Sequence, residues 1–274
     1  MKLNEIFHSE KERELLAHNG LDSFESLWDL EGHFIEEPNY RRGGWSGIVL
    51  HEIRLQNGQP LKIIIKRQEN HAFRSLLHPL MGTPTFSREY KNICRLEKHN
   101  ISTLQPLFYG ERKVNGKMQA ILIVRFLKGY RNLDDLLTEA GKNENFDLKS
   151  IIDPVAGMTA KIHSFRFQHS CLYGKHIFVK TEIDGSADVR LIDLEKMHSG
   201  LSRFSVAVHD LGALFRHAPW PGDSWRYFLQ SYLSKAGLES KEKRLYKALG
   251  EKIEKKNIRR NPHEHKRGNK AHRP

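Results

Sequence analysis

No apolar run in this 274-residue chain approaches the roughly 20 residues that a membrane-spanning helix requires. The best stretch, AILIVRFL, is interrupted by Arg125, so no such helix is expected. The start, MKLNEIFHSEKERELL, mixes charges of both signs and has no continuous apolar core. Neither a signal peptide nor a lipidation site is therefore expected, and a cytoplasmic address follows by default. Cysteine is scarce as well. Cys94 and Cys171 lie in separate segments without metal-ligand spacing, which excludes a disulfide framework and fits a reducing compartment. No internal repeat points to an array.

What is present suffices for a substantial core: 38% of residues are hydrophobic, and the length suits one large domain or one domain of two lobes. The net charge of +12 is unevenly spread. From Glu251 to Pro274 nine Lys/Arg stand against three Glu, so half of the net charge lies there and the body is only mildly basic. With almost no apolar side chains, this tail is expected to be disordered, with a helix reaching at most about Ile258. It reads first as a solvated tail and second as a peripheral contact with an anionic membrane; a nucleic-acid-binding module led by this tail is a third reading, with nucleic acid the less expected partner. A mobile tail would give His263, His265 and His272 no preformed geometry for a metal.

The acidic first forty residues carry a helical pattern. In LDSFESLWDLEG, Asp22 and Glu25 have capping-box spacing, and Phe24, Leu27 and Trp28 share a face. Residues 1–38 are read as a helical leader packed on the domain after it. The pattern then changes to strands: β-branched runs flank QNGQ, where Asn57-Gly58 suits a two-residue hairpin turn. Thr83-Pro84 marks the start of a helix with Phe86, Tyr90, Ile93 and Leu96 on its apolar stripe. MQAILIVRFL reads as a buried strand, GYRNLDDLLTEAG as a short helix, and a lobe boundary falls near Lys128 to Arg131. Asp153-Pro154 opens a further helix, striped by Val155, Met158, Ile162 and Phe165. Two short strands, HIFVK and DVRLID, are joined through Asp184-Gly185, and helical patterns run on from FSVAVHDLGALFRH. Strands early and helices late make an α+β protein of two unequal lobes, β-rich over 39–128 and helical over 129–250, ahead of the tail 251–274.

Four features bear chemistry. Gly43, Gly44 and Gly47 stand before a strand, where glycine either lets backbone N–H groups approach phosphate oxygens or simply makes a turn. Lys66 ends the apolar run IIIK, as a fixed cation or a snorkelling side chain. Glu89 falls between Phe86 and Ile93 on the apolar stripe, where a carboxylate without a cation is costly. It meets Lys66, or it makes a salt bridge at the rim. Asp193, ending DVRLID, holds a metal or caps a turn.

The order of these parts is more specific than any one of them. Glycine loop, strand lysine, helix glutamate, hinge strand, then HSCLYGKHIFV and LIDLEK reproduce the protein-kinase signature set. More narrowly, NYRRGGWSG, TFSREY, HSCLYGKHIFV, LIDLEK and HDLGAL are similar to the bacterial lipopolysaccharide core sugar kinase family, the Kdo and heptose kinases, in particular its InaA-like branch. The resemblance covers Asn39 to Phe215. It implies a protein-kinase-like two-lobed fold with a small β-rich N-lobe and a helical C-lobe. It also implies ATP and Mg²⁺ as cofactors, a lipopolysaccharide core sugar or related glycolipid as acceptor, and a cytoplasmic enzyme working near the inner membrane. Residue by residue, the resemblance puts Gly43, Gly44 and Gly47 over the nucleotide, Lys66 on its α and β phosphates with Glu89 as partner, Asp193 on Mg²⁺, and Asp210 as tether of the catalytic-loop backbone.

With His169 matched to the first position of the catalytic motif, Cys171 stands at the base position, where the family pattern has aspartate, and His176 at the second metal position. The expected proton acceptors become His169 or a Cys171 thiolate, with Cys171 as no more than a small buried hydrophobe the equal alternative, and His176 becomes a neutral nitrogen ligand to a cation that prefers oxygen. Phosphoryl transfer depends mainly on positioning and charge stabilisation, so transfer without the aspartate is one reading. A nucleotide-binding pseudokinase with a regulatory or scaffolding role is the other. The stretch from Asp193 to Asp210 is short and lacks A-P-E, which argues against a peptide substrate.

Overall fold

The computed structural model describes residues 3–32, 34–35, 37–41, 43–70, 72–75 and 78–260. The chain divides into two units, Met1–Tyr130 with Arg190–Lys196, and Arg131–Val189 with Met197–Pro274.

The first unit opens with β1 (Leu3–Phe7), α1 (Glu10–His18) and α2 (Phe24–Trp28). Next come β2 (Asn39–Arg41), β3 (Gly44–Arg54), β4 (Pro60–Glu69), the small pair β5 (Ala72–Ser75) and β6 (His78–Pro84), α3 (Thr85–Glu97), β7 (Pro106–Val114) and β8 (Lys117–Arg125). Six of the strands form one antiparallel sheet in the order β1-β7-β8-β4-β3-β2. Alternation along β4 divides its side chains between two layers. Ile63 and Ile65 point into a core closed by Leu15, Leu16, Phe24 and Leu27 of the leader, and Arg67 on the same face donates to the Trp28 and Leu30 carbonyls. Lys66 and Gln68 point the other way, toward α3.

Four expectations are corrected in this unit. The leader is not wholly helical, because β1 pairs with β7 from Leu3↔Arg112 to Phe7↔Phe108. It is an edge strand without a buried face, so its side chains carry no alternation to read. The capping box of α2 is built by Ser23 and Ser26, not by Asp22 and Glu25. The turn at Asn57-Gly58 is a three-residue loop: Leu55 N donates to Gln59 O, and Gly58 takes a φ of +78°. A two-residue turn does occur at Asn115-Gly116, between Val114 and Lys117. Finally, α3 begins at Thr85 with Pro84 as an extended N-cap, and Gln68 Oε1 accepts from Phe86 N and Thr85 Oγ1 in place of a local cap.

The second unit holds β9 (Arg131–Asn132), α4 (Leu133–Ala140), α5 (Lys149–Ser164), β10 (Phe167–Gln168), β11 (Ile177–Thr181), the start of β12 (Ala187–Leu191), whose last two residues belong to the first unit, β13 (His198–Ser199), α6 (Arg203–His217), α7 (Ser224–Ala236) and α8 (Glu242–Arg260). Asp153-Pro154 does not open α5, which begins at Lys149 and takes Pro154 into its interior. Asp153 instead accepts from Tyr227 and Ser231 of α7 at 2.8 and 2.5 Å. Two of the four stripe residues read for this helix, Val155 and Ile162, are buried, and Thr159 and His163 join them; Phe165, just past its end, is exposed.

The expected second lobe, 129–250, also gives up the Asp193 segment to the first unit. Thr103 Oγ1 donates to Leu191 O and Asn92 Nδ2 to Leu194 O, at 2.6 and 2.7 Å. The tail read from Glu251 begins inside α8, and His263, His265 and His272 lie outside the described residues. Among the described residues no helix is long and apolar enough to cross a membrane.

Truncating the fully buried Ile65 to Ala is expected to cost about 2–5 kcal/mol, while Leu50→Ala on the exposed side of β3 stays within about 0.5 kcal/mol. Denaturant midpoints at constant m-value measure both.

Candidate active site

In the first unit a charged pair is buried between β4 and α3. Lys66 Nζ donates to Glu89 Oε1 at 2.6 Å, with the two side chains 14% and 3% exposed. The cation answers the cost of placing Glu89 on an apolar stripe. One helical turn further along, Asn92 holds the Leu194 carbonyl, so the helix that carries Glu89 also secures the segment after Asp193. Asp193 itself has a φ of +58°, a left-handed conformation costly for a non-glycine residue.

Glu195, two residues on, lies within the same LIDLEK motif but is not among the residues that the sequence singles out. Burial raises its pKa, and the charges of Asp193 and Glu89 add to that rise, while Lys196 and Lys66 oppose it. Lys66, Glu89, Asp193 and Glu195 therefore share one electrostatic neighbourhood. The acid-Leu-acid pattern of LIDLEK was the available signal. Two neighbouring carboxylates, one of them resisting ionisation, suit a divalent cation that takes oxygen ligands.

The glycines divide by role. Gly43 sits in the turn between β2 and β3 with a φ of +76°, and a Cβ there would meet nothing. A Cβ on Gly44 would stand 2.1 Å from the Glu69 carbonyl oxygen, and one on Gly47 2.3 Å from the Phe34 ring. Close packing against backbone thus requires glycine at Gly44 before any ligand is considered, whereas a side chain at Gly47 would have to displace the exposed Phe34 ring.

In the second unit the sequence HSCLYGKH forms a loop around one carboxylate. Asp210, on α6 and completely buried, accepts from the backbone N–H of His169 at 2.6 Å and of Ser170 at 3.0 Å. Its oxygens also face His163 Nε2 at 3.4 Å and His209 Nδ1 at 3.1 Å, and His163 Nδ1 meets the Tyr232 hydroxyl at 2.9 Å. Ser170 has a φ of +70°, so the carboxylate holds the loop where its backbone is strained.

His169 is 0% exposed and Cys171 6%. The His169 ring stacks on His176 with centroids 6.3 Å apart. His176 is half-buried, and its Nδ1 lies 2.9 Å from the Cys171 carbonyl oxygen. A carbonyl only accepts, so Nδ1 carries a proton, and in the neutral form of the ring Nε2 is the acceptor. A second carboxylate without a sequence signal, Asp134 of α4, lies against this turn, where a Cβ on Gly174 would collide with its Oδ1. Burial and the neighbouring Asp135 raise its pKa, and the Lys175 amide and the charges of His176 and Lys175 pull it back.

Residues 25–232 match the lipopolysaccharide kinase (Kdo/WaaP) family. Protein InaA of Escherichia coli (strain K12) is 34% identical over 207 residues, which cover 74% of this chain and 92% of InaA. The chain belongs to the lipopolysaccharide kinase family. A solved structure of WaaP in complex with acyl carrier protein resembles it with a TM-score of 0.63, over 93% of this chain and 99% of that one. At 19% identity that likeness concerns the fold, which is α+β and protein-kinase-like.

In this lipopolysaccharide kinase family member, burial alone would raise the pKa of Asp210. Hydrogen bonds from His163 and His209, with the charges of His163 and His169, instead hold it far below the usual carboxylate range. A depressed folded pKa contributes stability that is complete above the unfolded value of about 3.9 and is lost as pH falls toward the folded one. Asp210→Asn removes this linkage. Below about pH 4 the wild type is expected to lose up to about 1.4 kcal/mol per pH unit more than the variant. Urea unfolding at stepped pH reads the difference, and parallel slopes would count against an ionised Asp210.

Proposed function

We propose that the protein is an ATP-dependent phosphotransferase that moves the γ-phosphate to a hydroxyl of a lipopolysaccharide core sugar, heptose or Kdo, or of a related glycolipid. The observation that carries this reading is the buried Lys66–Glu89 pair with Asp193 and Glu195 in its field. Lys66 would bind the α and β phosphates, with Glu89 keeping its ammonium in place, and the Gly43 turn would lie toward the nucleotide. Asp193 and Glu195 would hold Mg²⁺, whose oxygen preference their carboxylates suit. When bound, Mg²⁺ supplies charge neutralisation on the phosphate oxygens.

The roles on the acceptor side are reassigned from the burial of the loop. His169 and Cys171 are enclosed side chains, which favours packing and positioning roles for them over proton removal. His176 presents Nε2 as an acceptor and would take the proton of the sugar hydroxyl; a nitrogen donor suits that role better than Mg²⁺ ligation. Asp210 fixes the loop that carries it. The enzyme would work at the cytoplasmic side of the inner membrane, with the basic segment from Glu251 near anionic headgroups. Lys252, Lys255 and Lys256 line a 390 Å³ concavity beside α6 that favours such contact.

Calorimetry with ATP, with and without Mg²⁺, tests the nucleotide half. Magnesium-dependent binding is expected in the wild type and lost in Asp193→Asn and Lys66→Met. Phosphate incorporation into purified lipopolysaccharide core tests the rest, with His176→Ala keeping nucleotide affinity while turnover falls by about 10²–10⁴. The buried thiol at the base position favours a second reading, a pseudokinase that binds nucleotide for regulation or scaffolding. Binding without any turnover on core acceptors decides for it.

A further inference from the structure

One set of metal-ligating side chains in the first unit has no part in the proposed chemistry. His8, Cys94 and Glu97 are each half-buried, and their donor atoms all lie within 4.8 Å of one another. Cys94 and Glu97 are three apart on α3 and so share a face. His8 is the residue directly after β1, and its backbone N–H donates to Leu107 O at 3.0 Å. A helix presents two of the ligands, and the backbone hydrogen bond that follows a paired strand holds the third.

The distance between His8 Nε2 and Glu97 Oε2 is 3.4 Å, long for a charge-assisted hydrogen bond. A tetrahedral ion with bonds of about 2.1 Å separates its ligand atoms by about 3.4 Å. We propose that His8, Cys94 and Glu97 form a binding site for a divalent transition metal of the zinc class, with the fourth position open to solvent. Nitrogen, sulfur and oxygen donors together select such an ion over Mg²⁺ or Ca²⁺, which take oxygen alone. One thiolate and one carboxylate neutralise a dication, which suits a half-buried place; on binding, the Cys94 thiol gives its proton to solvent. The Tyr90 hydroxyl, hydrogen-bonded to Cys94 one turn earlier on α3, is an outer-shell donor to the sulfur. The ion would pin the end of α3, the helix that carries Glu89 and Asn92, to the end of β1. Sequence spacing hides the site because His8 is remote from α3 along the chain.

The test is a Co²⁺ titration of the full, chelator-stripped chain, read by absorption. A near-ultraviolet thiolate-to-cobalt band with tetrahedral ligand-field bands is expected, displaced by Zn²⁺. Cys94→Ser should abolish the thiolate band, His8→Ala and Glu97→Gln should each weaken Co²⁺ binding at least about tenfold, and Cys171→Ser should leave the spectrum unchanged. Zn²⁺ should raise the thermal midpoint of the wild type and not that of Cys94→Ser. The absence of a thiolate band overturns the proposal, as does a band that survives Cys94→Ser or disappears in Cys171→Ser. Ligand-field bands indifferent to His8 and Glu97 would likewise place the ion elsewhere, such as on the histidines of the C-terminal segment.

Discussion

Two opposite charges buried 2.6 Å apart set the terms on which β4 and α3 pack. Neither charge is tolerable alone in that layer, and removing one partner of such a pair strands the other at a cost of about 3–5 kcal/mol. The sheet must therefore present Lys66 on the face opposite the leader, and α3 must dock with Glu89 inward. Other contacts depend on that docking. Gln68, on the Lys66 face, caps the start of α3, and Asn92, one turn beyond Glu89, secures Leu194. In this way a single ion pair also determines where Asp193 and Glu195 are held.

The second unit uses a buried carboxylate differently. Asp210 directs its acceptor capacity to two backbone amides and two histidines. The histidines hold the carboxylate in its charged form, and in return the carboxylate, through the two amides, holds Ser170 in a conformation that a free chain would leave. Left-handed backbone at Ser170 and at Asp193 marks the two motifs most closely tied to the proposed chemistry. Each is stabilised by polar contacts in its own unit, the expected arrangement where strain is retained at functional positions.

Lys66 and Glu89 were legible in the sequence because a charge on an apolar stripe or at the end of an apolar strand violates a pattern. Asp193 and Asp210 were legible because they belong to recognisable motifs in a fixed order. Asp134 broke no pattern, since it belongs to an ordinary polar stretch, and Glu195 had only the acid-Leu-acid spacing of LIDLEK to mark it; burial against other charges singles each of them out. The strand character of Leu3–Phe7 was hidden for the opposite reason, since an edge strand without a buried face has no period to show. Pro154 misled because its usual place in the first turn of a helix is a preference, and α5 accommodates it in its interior.

The sequence by itself determined the family, most of the helices and strands, and the identity of the charged residues that had to find partners. These come from local propensity, from apolar period, and from the cost of burying charge. Tertiary structure alone decided which partners they found. It enclosed His169 and Cys171, turned His176 Nδ1 to the Cys171 carbonyl, made Gly44 a packing necessity, and brought His8 to Cys94 and Glu97. Those outcomes depend on distances between segments far apart in the chain, and only the packing of sheet and helices sets such distances.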